Sequence, residues 1–489
     1  MSSSAMTGDA SRQGAFSRRF TTPLFMGSAL NPLNNSFIAT ALVPIAAAMH
    51  VSIGRTTALI SGLYLACAIA QPTAGKLADA FGPRRVFIAG ILTVLLGGVV
   101  GGGAHTLTTL IIARVLIGLG TSAGYPSAML LVRRRAESAG LAAPPGGVLG
   151  GLVVTGSAVA ALGLPVGGAL VGAWGWRTVF LINVPVALLT LALAVFWLPV
   201  DPAGETPRTL REISRRIDAV GIAGFGGAMA ALMVFLMALP RPQWVALALA
   251  VVLASGFVAW ERRVRRPFLD VRLLVTNLAL TRTYLRFAMA TLCTYTALYG
   301  LTQWLEAARG SPAREAGLLL LPMNALSAII ARAVARRNLV RAPLLVAALS
   351  CLVASAGVLL LTGRAPILWV AVITLIFGIT LGTTLSANQT TLYSQVSSDQ
   401  IATASGLFRT FGYVGSMASA ALIAIAFHAG VSEPGLHGIG WTMVVASAVG
   451  LLLVVADRGL LRQIRVERIL SATPQAGLHA AASAGAGRP

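Results

Sequence analysis

Arg114 stands in Arg114-Val115-Leu116-Ile117-Gly118-Leu119-Gly120, inside a long apolar stretch. A charge at membrane depth costs several kcal/mol, so a chain that keeps one there is using it. Stripes of neutral polar residues recur at helical spacing in other apolar stretches. They are Ser28, Asn31, Asn34 and Asn35; Tyr64 and Gln71; Thr121 and Tyr125 with Arg114; Thr291, Tyr295, Tyr299 and Gln303; and Thr380, Thr384 and Asn388. In hydrocarbon such groups face the bundle interior, where they bond between helices or line a cavity. Several stripes together predict a cavity of amide, hydroxyl and aromatic groups. That lining suits an amphipathic or aromatic organic molecule better than a simple ion.

A second kind of chemistry sits in the loop Gly75-Lys76-Leu77-Ala78-Asp79-Ala80-Phe81-Gly82-Pro83-Arg84-Arg85. Its glycines allow a tight turn, and Asp79 is at a helix end with Arg84 and Arg85 in ion-pair reach. This predicts a latch that holds one conformation and releases it in another. Its members are Gly75, Asp79, Gly82, Arg84 and Arg85. Further on, Gly163/Gly167 and Gly168/Gly172 have small-xxx-small spacing, which predicts close packing on a neighbouring helix, with a bend at Pro165.

The elements that carry these residues follow from composition. Of 489 residues, 56% are hydrophobic and only 11% charged, against about 25% in a soluble domain. The bilayer is therefore the solvent. A membrane helix needs about 20 apolar residues. Fourteen such spans are read, near 24–48, 57–75, 86–104, 107–131, 148–172, 177–198, 218–239, 243–260, 278–304, 316–334, 343–361, 367–388, 401–427 and 439–456. With the N-terminus inside, the alternating loops put 26 basic residues inside and six outside. The inner set includes Lys76, Arg84, Arg85 and Arg133–Arg135; the outer set is Arg55, Arg177, Arg241, Arg309, Arg314 and Arg364. Short loops obey the positive-inside rule, so this asymmetry predicts cytoplasmic termini and supports the count. The Ser-rich tail 1–23 reads as a disordered cytoplasmic tail, and 457–489 as a cytoplasmic tail whose Ala/Gly/Pro-rich part after Ser471 reads as disordered. The apolar segment after Arg18-Arg19 is too long for an export signal and reads as a retained first helix.

Several function classes drop out. The net charge of +22 reflects basic loops, with no nucleic-acid-binding motif beside it. Cys67, Cys293 and Cys351 are isolated within apolar stretches and read as small buried hydrophobes. Gly120-Thr121-Ser122-Ala123-Gly124 has the form of a nucleophile elbow but lies inside an apolar helix. There is no phosphate-cradling G-x-x-x-x-G-K loop, so ATP-driven transport by this chain is not expected. No enzymatic activity, metal or cofactor is expected.

The loop 75–85 resembles the G-x-L-a-D-r-x-G-r-r signature of the major facilitator superfamily, with Ala80 where the pattern has Arg. Arg114, Gly118 and Gly120 match its R-x-x-Q-G-x-G, with Ile117 for the Gln. Residues 163–169 are similar to its antiporter signature G-x-x-x-G-P-x-x-G-G, with Leu164 and Ala169 at two Gly positions. Trp176-Arg177-Thr178-Val179-Phe180-Leu181-Ile182-Asn183-Val184-Pro185 resembles the W-R-x-x-F-x-I-N-x-P of the 14-span drug:proton antiporters of EmrB/QacA type, and is the most specific match. Arg409 with Gly412 resembles an R-x-x-G element of the same group. The resemblance covers roughly 24–456.

That resemblance implies an all-α membrane protein of two six-helix bundles with two extra central helices. The expected parts are a bundle at 24–200, a linker with the extra helices at 201–272 and a second bundle at 273–456. It implies a secondary transporter exporting a small organic compound, a drug or metabolite, by alternating access. The expected partners are that substrate, the cell-membrane bilayer and possibly protons, with the chain a monomer. Substrate-cavity or coupling residues are Asn31, Asn34, Asn35, Tyr64, Gln71, Arg114, Tyr125, Tyr295, Tyr299, Gln303, Asn388 and Arg409. Group members carry an Asp in the first span where this chain has Asn35, which cannot titrate. Proton coupling would then use a helix-end acid such as Asp79 or Glu306, or be absent. A lipid or glycolipid flippase, its lateral access widened by the extra helices, and a non-transporting receptor or scaffold are the alternatives.

Overall fold

The computed structural model describes residues 16–141, 146–201, 217–238, 241–264, 267–337, 341–396 and 401–457. Among them the structure is all helical, without strands. The first half holds α1 (Arg18–Ala39), α2 (Leu42–Ala48), α3 (Ile53–Thr56), α4 (Ala58–Phe81), α5 (Pro83–Gly102), α6 (Leu107–Ser138), α7 (Gly146–Trp174), α8 (Thr178–Leu181) and α9 (Asn183–Trp197). Then come α10 (Ala219–Met237) and α11 (Trp244–Glu261). The second half holds α12 (Val271–Thr276), α13 (Leu278–Thr296), a π turn (Ala297–Leu301), α14 (Thr302–Ala307), α15 (Ala313–Arg337), α16 (Arg341–Val358), α17 (Ile367–Gln395), α18 (Ile401–Ala426) and α19 (Glu433–Val455).

All fourteen expected spans fall on helices. Twelve helices among the described residues are long and apolar enough to cross a membrane. The segments 24–48 and 278–304 are not among those twelve. They are the most polar of the set: α1 carries Asn31, Asn34 and Asn35, and α13 carries Arg282 and Arg286. The outward surface is apolar, as lipid demands, with Val245 83% and Trp244 66% exposed on α11.

Local sequence sets the helix ends. Thr106 caps α6 by accepting from Thr109 N at 3.2 Å, and Asn277 caps α13 through Leu280 N at 3.0 Å. Gly82 turns the chain with φ 98°, and Pro83 then opens α5 at the position where its missing N–H costs nothing.

Each half packs mainly on itself, α5 on α6 and α4 on α6 in the first, α15 on α17 and α13 on α18 in the second. The halves meet along two seams, α7 with α15 and α4 with α18. The α7–α15 seam is backbone on backbone. A Cβ on Gly168 would stand 2.5 Å from the Ala313 carbonyl oxygen, and one on Gly317 2.5 Å from that of Leu164. Gly163 and Gly167 face α1 instead, at Ser36 and Phe37. Gly163, Gly167 and Gly168 therefore pack closely on two neighbours, one in each half, with Pro165 inside α7 at the crossing, whereas Gly172 has open space around it. At the end carrying α2 and α3 the halves also touch through α2–α14 and α3–α18. The α10–α11 pair lies over the α4–α18 seam, with Phe225 in one apolar cluster with Ala68, Phe287 and Phe408.

Candidate functional site

Four tyrosines gather where the halves face each other. The Tyr299 hydroxyl donates to the Asn35 carbonyl oxygen at 3.1 Å and lies 2.9 Å from the Tyr64 hydroxyl. A phenol has one proton, so Tyr64 is the donor to Tyr299. Tyr295 lies edge-on to Tyr64, with ring centroids 5.3 Å apart. Tyr413 donates to Gln71 Oε1 across the other seam. The π turn at 297–301 holds Tyr299 itself, and a local π turn of this kind recurs at functional positions.

Beside this cluster is a cavity of about 190 Å³, lined from both halves. Asn31 and Asn35 come from α1; Phe287, Thr291, Thr294 and Tyr295 from α13; Thr384 from α17; and Arg409, Tyr413 and Ser416 from α18. Drug-sized sites are commonly about 300–1,000 Å³, so this conformation admits a small ring system and must widen for a larger one. Asn31 donates to Thr121 Oγ1 at 3.2 Å and accepts from Asn35 Nδ2 at 3.1 Å. Asn35 Oδ1 and Thr384 Oγ1 are buried without a partner. The Arg409 guanidinium lies over the Tyr125 ring, 4.6 Å from its centroid.

The structure thus brings Asn31, Asn35, Tyr64, Gln71, Tyr125, Tyr295, Tyr299 and Arg409 together. Other expected cavity residues have other work. Asn34 and Asn183 form a reciprocal amide pair, Asn34 Nδ2 to Asn183 Oδ1 at 2.7 Å and the return bond at 3.1 Å. The pair is fully buried within the first half and ties α1 to α9. Arg114 is 1% exposed and donates to the carbonyls of Leu59 (3.2 Å) and Asn34 (3.3 Å), so it braces α1 and α4 onto α6. Asn388 lines a separate, much smaller pocket within the second half. Gln303 is buried on α14, outside the cavity wall.

The latch differs from its expected wiring. Asp79 is exposed on the last turn of α4 and makes no ion pair among the described residues. The acid that serves the loop is Asp201. Its carboxylate accepts from the backbone N–H groups of Arg84 (3.2 Å) and Arg85 (3.0 Å) and lies 3.8 Å from Arg134. The Gly82 turn aims the first N–H groups of α5 at this carboxylate, and a helix N-terminus favours a negative charge. Any side chain at Gly82 would strike Asp201. Arg84 itself reaches the Val195 carbonyl at 2.7 Å. Gly75 has open space around it. Lys76 donates to the Pro267 carbonyl at 2.9 Å, tying the loop to the segment after α11.

Sequence reasoning missed Asp201, Tyr413 and the buried ion pair Arg286–Asp457 at 3.0 Å. Tyr413 had a signal, one helical turn after Arg409 on the same face. Asp201 and Asp457 had none, because each sits just past a helix and finds its partner across the bundle.

Residues 24–420 match the family description Major Facilitator Superfamily. The uncharacterized MFS-type transporter YwoD of Bacillus subtilis is 31% identical over 454 residues, covering 91% of this chain and 97% of that protein. The chain belongs to the Major Facilitator Superfamily. The puromycin resistance protein pur8 of Streptomyces alboniger is 30% identical over 410 residues, 78% of each chain. The tetracenomycin C resistance and export protein of Streptomyces glaucescens is 30% identical over 311 residues, 61% of this chain and 54% of that protein. Among solved structures, a peptide transporter POT mutant with sulfate aligns at TM-score 0.64 and 17% identity, over 90% of this chain and 95% of that one. A nucleoside transporter NupG mutant aligns at 0.62 and 12%, over 89% and 99%. These two share the fold.

Proposed function

We propose that this superfamily transporter exports a small amphipathic or aromatic organic compound by rocking its two halves around the cavity at Asn35, Tyr295 and Arg409. The observation that carries the reading is that α1, α13, α17 and α18 all line one cavity, so a bound molecule touches both halves. Names of relatives, puromycin resistance and tetracenomycin C export among them, support the direction and the compound class. The Trp176–Pro185 segment and the α10–α11 pair support placement with the 14-span drug:proton antiporters, with α1 and α13–α14 as the thirteenth and fourteenth spans. The arginine-rich loops favour cytoplasmic termini in a cell membrane, with the closed α2–α3 end facing outward. The hairpin's seat over the α4–α18 seam supports a route through the cavity rather than lateral entry by a lipid. The chain acts as a monomer and carries out no reaction in this reading.

No Asp or Glu is among the cavity's described lining residues. A proton coupled to transport therefore has to load elsewhere, at Asp79 or Glu306 near the helix ends. Reconstitution in liposomes with a pH-sensitive dye inside tests both parts. Substrate flux with proton flux that Asp79→Asn or Glu306→Gln removes supports coupling at the ends. Substrate flux alone makes the chain a uniporter or assigns it another ion. No flux of any aromatic compound sinks the transport reading.

A further inference from the structure

Arg409 is the one charged residue among the described residues that line the cavity. It makes no ion pair with any described residue, and its guanidinium lies over the Tyr125 ring, 4.6 Å from the centroid. Stacking on a ring face holds the guanidinium plane while leaving its in-plane N–H donors free. The opposite sign is missing. Asn35, across the cavity, is an amide at the position where the resembled antiporters carry an Asp. It offers a buried oxygen, Oδ1, without a donor. The apolar part of the wall is aromatic, Tyr295 with Phe287, the latter stacked on Phe408 at 3.9 Å between centroids.

A guanidinium fork matches a planar oxyanion with two parallel hydrogen bonds, and a low-dielectric site strengthens that match. A cationic compound would meet Arg409 with no carboxylate to offset it. We propose that the site selects an aromatic anion, its carboxylate on Arg409 and its ring against Tyr295 and Phe287. This rests on the transport reading above and adds the sign of the substrate's charge.

The test uses the full chain in lipid nanodiscs and three probes of one ring system: naphthoate, naphthamide and naphthylmethylammonium. Calorimetry is expected to show naphthoate bound about tenfold or more tighter than naphthamide, as a charge-assisted bond against a neutral one gives. The ammonium compound should be weakest. Arg409→Gln should bring the naphthoate-to-naphthamide ratio close to one, and Arg409→Lys, which keeps the charge but not the fork, should keep part of it. The two variants separate loss of charge from loss of fold, since a misfolded chain loses naphthamide as well. Tighter binding of the ammonium probe, a ratio that survives Arg409→Gln, or no binding of any probe overturns the assignment. Flux in liposomes reports on transport independently, so tight binding and flux of the cation would remove the charge assignment alone.

Discussion

Asn183 shows how a single residue is half legible in a sequence. Its motif marks it, but its partner, Asn34, lies 149 residues away and reads by spacing as a cavity residue. Spacing along one helix reports which face a residue is on, and not whether that face meets solvent or another amide. The pair is buried on both sides, so removing one member strands the other. Asn183→Leu should cost roughly 1–3 kcal/mol in thermal unfolding, and Asn34→Leu with Asn183→Leu together less than the two single losses added. Strict additivity would mean the amides do not couple. Asp201 carries a parallel prediction. Asp201→Ala removes the cap of α5 and should cost about 0.5–2 kcal/mol, whereas Asp79→Ala, exposed and unpaired, should stay within about 0.5 kcal/mol. The reverse order would restore the latch as the sequence alone describes it.

Helices were the most legible element, because apolar runs of bilayer length leave the backbone no other way to satisfy its hydrogen bonds. The small-residue pattern on α7 was legible too, but not that Gly163 serves α1 while Gly168 serves α15. Gly163 and Gly168 stand about 140° apart around the helix, so two faces carry the spacing, and only the fold allots each to its neighbour. The α7–α15 crossing yields the prediction at this scale. Gly168→Leu cannot fit against the Ala313 backbone, so it should part the halves at this seam. Membrane-impermeant maleimide should then reach Cys67, 0% exposed and beside Asn31, several times faster than in the parent. Unchanged labelling would mean the seam tolerates a side chain and does not gate the cavity. The π turn after α13 was not legible, since nothing in Ala297–Leu301 marks it beyond its own Tyr299 and Gly300.

At the scale of the molecule, two halves touch tightly at the α2–α3 end and enclose a cavity between Asn35 and Arg409. The α10–α11 pair rests over one of the two seams. The central claim is that transport needs the halves to part at their closed end. Cysteines placed by Gly168→Cys and Ala313→Cys adjoin across the α7–α15 seam, and a disulfide there should lock that end. The measurement is flux of an aromatic compound into liposomes by this double variant, oxidised and then reduced. The account predicts flux at least tenfold lower when cross-linked than in the same variant reduced, recovering on reduction. Equal flux in both states would contradict it, because the substrate would then cross without the two halves separating.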